Sequence, residues 1–232
     1  MAFVLALVVV SLLALTGGYL IWYLLKYVSN RKPSASKIQQ ELIQMRANYQ
    51  EEASKLVPWS QEEWMLLSAK LGTHKEKMGI VKSAEGTMHS IYHEALLTYQ
   101  YKQYAGGSHS LLRVQTKGGE YVYWAKGNRV EVFKDGQAYG IINDEGSLLS
   151  KNGKETIGRL QSGADRPWMQ VQLHDHEVAQ LLEEVDSEHP NPRAFEYVTS
   201  LAEEDQEKLM ALSLPFLIRK RISFAEAKEK KS

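Results

Sequence analysis

The sequence predicts an N-terminal single transmembrane helix, a helical spacer and then a mainly β domain with a buried hydrophobic C-terminal helix. We expect that domain to be an antiparallel barrel or sandwich of about ten strands. Three observations support this prediction: an uncharged apolar run over 2–25, short strand-like runs from 87 onwards, and a second uncharged run over 209–218. The predicted units are a membrane anchor over 1–28, a helical spacer and linker over 29–86, a β-rich domain with its C-terminal helix over 87–222, and a charged tail over 223–232.

The first run has the length and flanks of a membrane-spanning helix. About 24 residues at roughly 1.5 Å each give a helix of about 36 Å, enough to cross a hydrocarbon core of about 30 Å. Aromatic and basic side chains follow it, as at a membrane–water interface; they are Trp22, Tyr23, Lys26, Tyr27, Arg31 and Lys32. The alternative is a cleaved signal peptide. The absence of a basic residue before the run, and its length, favour an uncleaved anchor.

The charges beside the anchor predict its orientation. Lys26, Arg31, Lys32 and Lys37 follow the run, and no charged side chain precedes it. The positive-inside rule then places the N-terminus outside and the C-terminal domain in the cytoplasm.

The composition excludes several kinds of chemistry. The chain has no cysteine, which excludes disulfides, thiolate metal sites and cysteine nucleophiles. It has 28 basic and 28 acidic side chains, so no overall field attracts nucleic acid, and we expect no nucleic-acid partner.

The spacer contains an amphipathic helix. Between residues 36 and 56, apolar side chains recur every three or four positions; they are Ile38, Leu42, Met45, Tyr49, Ala53 and Leu56. We favour packing of this stripe on the chain's own domain over a coiled-coil dimer. Ser60 and Glu63 form a capping-box pattern that predicts a short second helix ending at Gly72. The polar composition of the stretch 73–86 predicts a linker.

From residue 87 the pattern changes to short strands separated by turns. Two similar hairpins contain Asp135-Gly136 and Asn152-Gly153, dipeptides that favour type I′ turns because both central residues need positive φ. The close spacing of about ten runs favours a sandwich or barrel over βαβ units. Ser200 and Glu203 predict a capping box for the last helix. Its uncharged part over 209–218 is too short to span a bilayer, so we expect it to be buried in the domain.

This combination resembles the tubby-like fold shared by tubby proteins, phospholipid scramblases and LURP-one-related proteins, in which a barrel closes around a central C-terminal helix. The likeness lies in the Lys-Asp-Gly and Lys-Asn-Gly hairpins and in the final helix from Glu203 to Ile218. Pro215 falls within that helix, and the anchor precedes the barrel, whereas scramblases carry a membrane helix at the other end. The resemblance implies a membrane-associated, lipid-related module and assigns no catalytic residue.

Four histidines form the most suggestive local pattern. If His174-Asp175-His176 lies in a strand, His174 and His176 share a face and both imidazoles can reach one metal ion. His89 and His93 share a face in either a strand or a helix. The alternative is a polar, solvent-facing strand end. The sequence contains no nucleotide-binding loop and no Gly-x-Ser-x-Gly motif. We therefore predict no catalytic residue and no cofactor.

The leading hypothesis is a single-pass membrane protein that presents a cytoplasmic β-rich binding or scaffold domain, associated with membrane lipid. Arg219, Lys220 and Arg221 are candidate lipid contacts, since anionic headgroups attract such side chains. One alternative is an accessory subunit that contacts other membrane proteins through Gly17, Gly18 and the 36–56 helix. The other is a membrane-bound metal-dependent enzyme built on the four histidines. Dense tyrosines between 92 and 123 indicate either cross-strand packing, which we favour, or an aromatic ligand surface.

Overall fold

The computed structural model of the chain describes residues 2–162, 168–183 and 192–223. Five helices occur in these ranges: α1 (Ala2–Ser29), α2 (Ala35–Asn48), α3 (Gln50–Ser54), α4 (Gln61–Trp64) and α5 (Glu203–Arg219). The predicted charged tail lies outside the described residues, apart from Ser223. The predicted order of an apolar helix, short helices, an antiparallel sheet and a C-terminal helix is confirmed.

Within the same described ranges, twelve strands form one sheet in sequence order, each antiparallel to the next. They are β1 (Leu67–Lys77), β2 (Lys82–Ser90), β3 (Ala95–Gln103), β4 (His109–Thr116), β5 (Gly119–Lys126), β6 (Arg129–Lys134), β7 (Gln137–Ile142), β8 (Ser147–Ser150), β9 (Thr156–Ser162), β10 (Trp168–Leu173), β11 (His176–Leu182) and β12 (Phe195–Val198).

The two edges of the sheet meet, so the sheet curves into a barrel. Ser68 of β1 forms an antiparallel bridge with Arg193, just before β12. The Ala69 amide donates to the Pro192 carbonyl at 2.7 Å, and the Ala194 amide donates to the Leu67 carbonyl at 2.8 Å. Closure of this kind leaves few unpaired edge groups to recruit another chain.

Helix α5 fills the barrel, as predicted from its uncharged run. Leu209, Leu212, Leu214 and Leu217 have no exposed surface and belong to one core with the inner faces of the strands. The helix approaches β9 and β10 most closely. Gly158 of β9 leaves room for β10, because a β-carbon there would lie 2.5 Å from Leu173 and 2.7 Å from the Gln172 carbonyl oxygen. The helix therefore lies nearer to one wall of the barrel than to the other.

The ends of α5 differ from the prediction. The helix begins at Glu203 after Ala202, whose side chain makes no capping hydrogen bond, so the predicted Ser200 capping box is wrong. Pro215 lies inside the helix and is buried, yet the helix continues to Arg219. Packing on all sides supports the helix there despite the lost backbone donor.

Helix α2 packs on the outer face of the barrel, as we expected for its apolar stripe. Ile38, Leu42 and Met45 form a second buried cluster with side chains of the barrel wall, namely Tyr104, Leu111 and Val122. The predicted single helix over 36–56 is interrupted at Tyr49, whose φ of −118° and ψ of 17° are not helical. The stripe nevertheless continues onto the barrel beyond this break, because α3 contacts β3 and Leu56 is only 3% exposed.

The barrel begins earlier than predicted. The predicted short helix ends at Trp64, with the Ser60–Glu63 capping box present, and β1 starts at Leu67. The stretch 73–86 is not a linker, because most of it lies in β1 and β2. Its polar composition misled the prediction, since the far half of β1 is largely exposed and has no alternating apolar face.

The two predicted type I′ turns have different outcomes. Asp135 and Gly136 both have positive φ, at 49° and 79°, as that turn requires. In the second hairpin Gly153 has a φ of 72°, but Asn152 is not in the positive-φ region. A five-residue connection over 151–155 replaces the predicted two-residue turn there.

Candidate functional site

The barrel has two ends, and α1 meets one of them. Because successive antiparallel strands reverse direction, the β3–β4, β5–β6 and β7–β8 loops lie at one end, together with the C-terminal end of α5. We call this end the proximal mouth. The Asn30 carbonyl, directly after α1, accepts a hydrogen bond of 3.1 Å from the Ala105 amide in the β3–β4 loop. A β-carbon at Gly106 would lie 3.5 Å from the Tyr27 hydroxyl. Helix α1 therefore ends on the rim of the proximal mouth.

Helix α1 is long and apolar enough to cross a membrane over Val10–Ser29, and none of that window is buried in the protein. The predicted interface side chains stand at its end: Lys26 Nζ lies 4.7 Å from the centre of the Trp22 ring. Tyr23 is exposed on the same stretch, and Arg31 and Lys32 follow in the turn that leads to α2. Gly17 and Gly18 have open space around them, which leaves their predicted contact with another membrane protein as a prediction.

A cavity of about 640 Å³ opens at the proximal mouth. It lies beside the C-terminal half of α5 and is lined by strands on several sides of the barrel, from β3, β4 and β5 to β9 and β10. Its deeper lining includes Tyr101, Leu112, Tyr123 and Leu212, and its outer lining includes Gln103, Ser110, Asn128, Asn143, Arg219 and Lys220. The volume is typical of small-molecule sites, which are about 300–1,000 Å³. The lining changes from apolar inside to polar and charged at the opening.

Tyr123 lines this cavity, but its hydroxyl is fully buried and is not exposed to the cavity. The residue is 2% exposed, and its hydroxyl has no hydrogen-bond partner among the described residues. Its ring stacks beside that of Tyr121 at a centroid distance of 6.5 Å. Burial raises the pKa of Tyr123 well above its ordinary value, and the neighbouring Tyr121 and Tyr139 add to this shift. The phenol therefore stays protonated at neutral pH.

The three predicted lipid-contact cations have different positions. Arg219 and Lys220 line the opening of the cavity. Arg221 instead fastens the end of α5, because its Nε donates to the Ala69 carbonyl of β1 and its Nη1 donates to the Leu217 carbonyl. We therefore retain Arg219 and Lys220 as candidate site residues and assign Arg221 a structural role.

The predicted strand face of His174 and His176 does not exist. His174 and Asp175 have φ of 50° and 64° and are the two central residues of the β10–β11 turn, while β11 starts at His176. His174 Nε2 instead lies 3.4 Å from Asp205 Oδ1 and 3.2 Å from Lys208 Nζ on α5. Histidine and aspartate tolerate positive φ better than most residues, which the strand prediction did not take into account.

His89 and His93 also lack a common strand face. His89 lies at the end of β2, and His93 has a φ of 68° in the β2–β3 turn. Burial lowers the pKa of His89, and the nearby His93 lowers it further. A β-carbon at Gly72 would lie 2.0 Å from His89 Nδ1, so this ring packs against the β1 backbone. Within the described ranges no group of three or more His, Asp or Glu side chains is arranged to hold a metal ion.

Most of the dense tyrosines pack in the core, as we favoured. Tyr99, Tyr101, Tyr121 and Tyr123 face inward around α5, whereas Tyr104 packs under α2. Tyr92 is exposed at the β2–β3 turn. The prediction of a cross-strand cluster is confirmed, but it missed that Tyr101 and Tyr123 also line a cavity. Their alternation through β3 and β5 is a signal for inward-facing aromatic side chains, not for open space beside them.

No family model, curated protein or solved structure matches this chain. The candidate site is therefore defined by its geometry alone: a cavity with an apolar interior, a buried phenol and a rim that meets the end of α1.

Proposed function

We propose that this protein is a single-pass membrane protein whose barrel is a binding module for a membrane amphiphile. One observation carries the proposal: α1 ends at the Ala105 amide on the rim of the proximal mouth, so an α1 that crosses a bilayer turns the cavity towards that bilayer. A ligand then passes from the membrane into the cavity over a short path. The proposed role is binding or presentation and needs no catalytic residue.

Features of the same end of the barrel support this orientation. The β1–β2 loop, also at the proximal end, carries Met78 with 63% of its surface exposed, between Lys77 and Lys82. An exposed apolar tip between basic side chains is suited to the headgroup region of a membrane. Arg219 and Lys220 at the cavity opening add positive charge towards anionic lipid. Asp144 and Glu145 also line the opening, so the rim carries both signs of charge.

The basic residues after α1 support a cytoplasmic barrel in this proposal. Lys26, Arg31 and Lys32 follow the span within a few residues, the range over which positive charge sets orientation. The tubby-like resemblance remains a prediction, and the position of α5 inside a barrel of twelve strands supports it.

The proposed orientation is tested by measuring how close each end of the barrel lies to the bilayer. The chain has no cysteine, so single cysteines can be introduced without other changes. A fluorophore on Asn128→Cys, in the β5–β6 turn of the proximal mouth, is compared with one on Lys117→Cys, in the β4–β5 turn at the opposite end; both positions are exposed. In nanodiscs with headgroup-quencher lipid we expect stronger quenching at 128. Equal quenching, or stronger quenching at 117, would overturn the orientation.

Binding is tested by filling the cavity. Ala125 lines the outer part of the cavity, and Ala138 is exposed on the outer surface of β7. We expect Ala125→Phe to reduce the lipid that remains bound to the full-length protein in native mass spectrometry after purification in mild detergent. Ala138→Phe, the same change on an exposed strand position, should retain it. Equal retention by both variants would contradict the cavity as the binding site.

A further inference from the structure

Two polar side chains in the wall of the cavity have no hydrogen-bond partner among the described residues. Gln103 is the last residue of β3, Ser110 lies near the start of β4, and the two residues are directly opposite each other in the strand pair. Each residue is only 8% exposed and lines the cavity. The Gln103 amide and the Ser110 hydroxyl are not among the sealed polar atoms of the barrel, so both can be reached from the cavity.

The strand pattern directs both side chains towards α5. Tyr101 and Leu112, which lie two residues deeper on the same two strands, belong to the core around α5. Side chains two residues apart on a strand share a face, so Gln103 and Ser110 also point into the barrel. Leu111, on the opposite face of β4, packs under α2 instead. The cavity therefore has a polar level near its opening and an apolar level below it.

The charged side chains around the cavity do not favour a charged ligand. Among the described residues that line it, Arg219 and Lys220 are basic, and Asp144 and Glu145 are acidic. Lys220 Nζ also lies 4.0 Å from Glu183 Oε1, which compensates part of its charge. An ionised head would lose water on entry without meeting an excess of opposite charge, which is unfavourable. An amide and a hydroxyl each donate and accept hydrogen bonds, and therefore suit an uncharged polar head.

We infer that the cavity takes a single-chain lipid whose uncharged head both donates and accepts hydrogen bonds, as the glyceryl head of a monoacylglycerol does. The head lies at the polar level against Gln103 and Ser110, and the acyl chain extends past Leu112 and Leu212. This inference rests on the proposed function and adds the chemical class of the ligand. Gln103 and Ser110 are then specificity-determining residues, because a site that hydrogen-bonds a group rejects the analogue that lacks it.

The test uses three lipids that share one oleoyl chain and differ in the head: monooleoylglycerol, its 3-phosphate and methyl oleate. Each is added at the same mole fraction to the full-length protein in phosphatidylcholine nanodiscs, and the melting temperature is followed by circular dichroism. A ligand that binds the folded state raises this temperature according to its concentration and affinity. We expect monooleoylglycerol to bind about three- to tenfold more tightly than methyl oleate, which accepts hydrogen bonds but donates none. We expect the phosphate to bind more weakly than monooleoylglycerol.

The matched variant is the double substitution Gln103→Met and Ser110→Ala, which removes both polar groups and nearly keeps their size. We expect it to bind monooleoylglycerol and methyl oleate alike and to melt no lower than the wild-type protein without ligand, because the lost groups have no partner among the described residues. Gln137→Met, the same change at an exposed position of β7, should keep the wild-type preference. The readout is the ratio of two affinities in one protein, so a change in overall stability does not affect it.

The outcomes separate this inference from the function on which it rests. Equal binding of monooleoylglycerol and methyl oleate by the wild-type protein, or a preference that persists in the double variant, would overturn the role of Gln103 and Ser110. Tightest binding of the phosphate would overturn the uncharged head and leave a cavity for anionic lipids. No response to any of the three lipids, or an equal response in Ala125→Phe, would overturn the proposed lipid-binding cavity itself.

Discussion

Arg113 Nε donates a hydrogen bond of 2.6 Å to Glu120 Oε2 on the outer face of the barrel. Arg46 of α2 binds the same carboxylate, with its Nη2 2.6 Å from Glu120 Oε1. Arg113 also donates to Gln100 at 3.1 Å and to Gln115 at 2.9 Å. Glu120 therefore joins the spacer to the barrel wall through two guanidinium groups. Because α2 follows α1 after a short turn, this contact helps to fix the barrel relative to the C-terminal end of α1.

The buried Arg113–Glu120 pair should contribute more to the free energy of unfolding than the more exposed Arg46–Glu120 pair. Arg113 and Glu120 have side chains only 5% and 10% exposed, whereas Arg46 is 46% exposed. Glu120→Ala leaves Arg113 buried without its carboxylate and should reduce the free energy of unfolding by about 3–5 kcal/mol. Arg46→Ala should cost about 1 kcal/mol or less. Urea unfolding of a fragment over 30–223 measures both, and equal losses would contradict the assignment.

The same carboxylate predicts a loss of stability in acid. Burial opposes its ionisation, but hydrogen bonds from Arg46 and Arg113 outweigh burial and lower the pKa of Glu120. A pKa lowered by folding gives stability that is present above the unfolded value of about 4.3 and is lost as pH falls through the folded value. The difference in unfolding free energy between wild type and Glu120→Gln should therefore be constant near neutral pH and shrink below that value. A difference that grows in acid would contradict this sign.

The β10–β11 turn offers a stabilising change. Asp175 has a φ of 64°, and its exposed carboxylate accepts a hydrogen bond from the partly exposed Arg159. Asp175→Gly should raise the unfolding free energy by about 0.5–1 kcal/mol, because glycine adopts positive φ without steric cost. Thermal melts of the same fragment measure the change.

Asp135 is the matched control for this turn. Its φ of 49° is also positive, but its Oδ1 accepts a hydrogen bond of 2.8 Å from the Glu120 amide. Asp135→Gly should therefore be neutral or destabilising, since the lost hydrogen bond offsets the gain in backbone freedom. Stabilisation by both changes to the same extent would show that the hydrogen bond contributes nothing.

The fold was predictable where one physical signal dominated. The uncharged run ending at Ile218 could be buried only inside the domain, and the structure places it there. The Asp135-Gly136 dipeptide likewise specified its own turn. The start of the barrel was not predictable, because exposed strand residues such as Lys75 and Lys77 carry no alternating pattern. Closure between Ser68 and Arg193 depends on tertiary pairing that no local pattern encodes.

The candidate site was predictable only in part. Arg219 and Lys220 were predicted as lipid contacts because the fold of an apolar helix does not require a basic cluster after it. Arg221 belongs to the same cluster, but it caps the helix. The cavity is the space that the C-terminal half of α5 leaves unfilled between strands that are distant in sequence, such as β3 and β10. Such space is a property of packing between distant segments, which periodicity in one sequence does not report.

The burial of α5 predicts the effect of truncation. A fragment over 30–200 loses the whole helix and exposes the inner faces of the strands, so we expect it to be unfolded or aggregated. A fragment over 30–223 keeps Ile222, which is fully buried, and should melt cooperatively. Each of the buried leucines of α5 is worth about 2–5 kcal/mol on truncation to alanine, against about 5–15 kcal/mol for a whole domain. A cooperative melt of the shorter fragment by circular dichroism would contradict a central role for α5.

The last prediction concerns the exposed loop beside the cavity mouth. Met78 is 63% exposed in the β1–β2 loop, and Ile43 is 62% exposed on α2 along the side of the barrel. If the proximal mouth faces the bilayer, Met78 buries its side chain among the lipid headgroups, whereas Ile43 stays in water. Burying such a side chain contributes about 1.5–3 kcal/mol, or roughly a tenfold or greater change in binding. Met78→Asp should therefore weaken the binding of the 30–223 fragment to vesicles of phosphatidylcholine and phosphatidylglycerol at least tenfold in cosedimentation.

Ile43→Asp, matched in exposure and in the charge it introduces, should leave binding unchanged apart from the small effect of one negative charge. Equal losses in the two variants would mean that charge alone controls binding, and an unchanged Met78→Asp would mean that this end of the barrel does not meet the membrane.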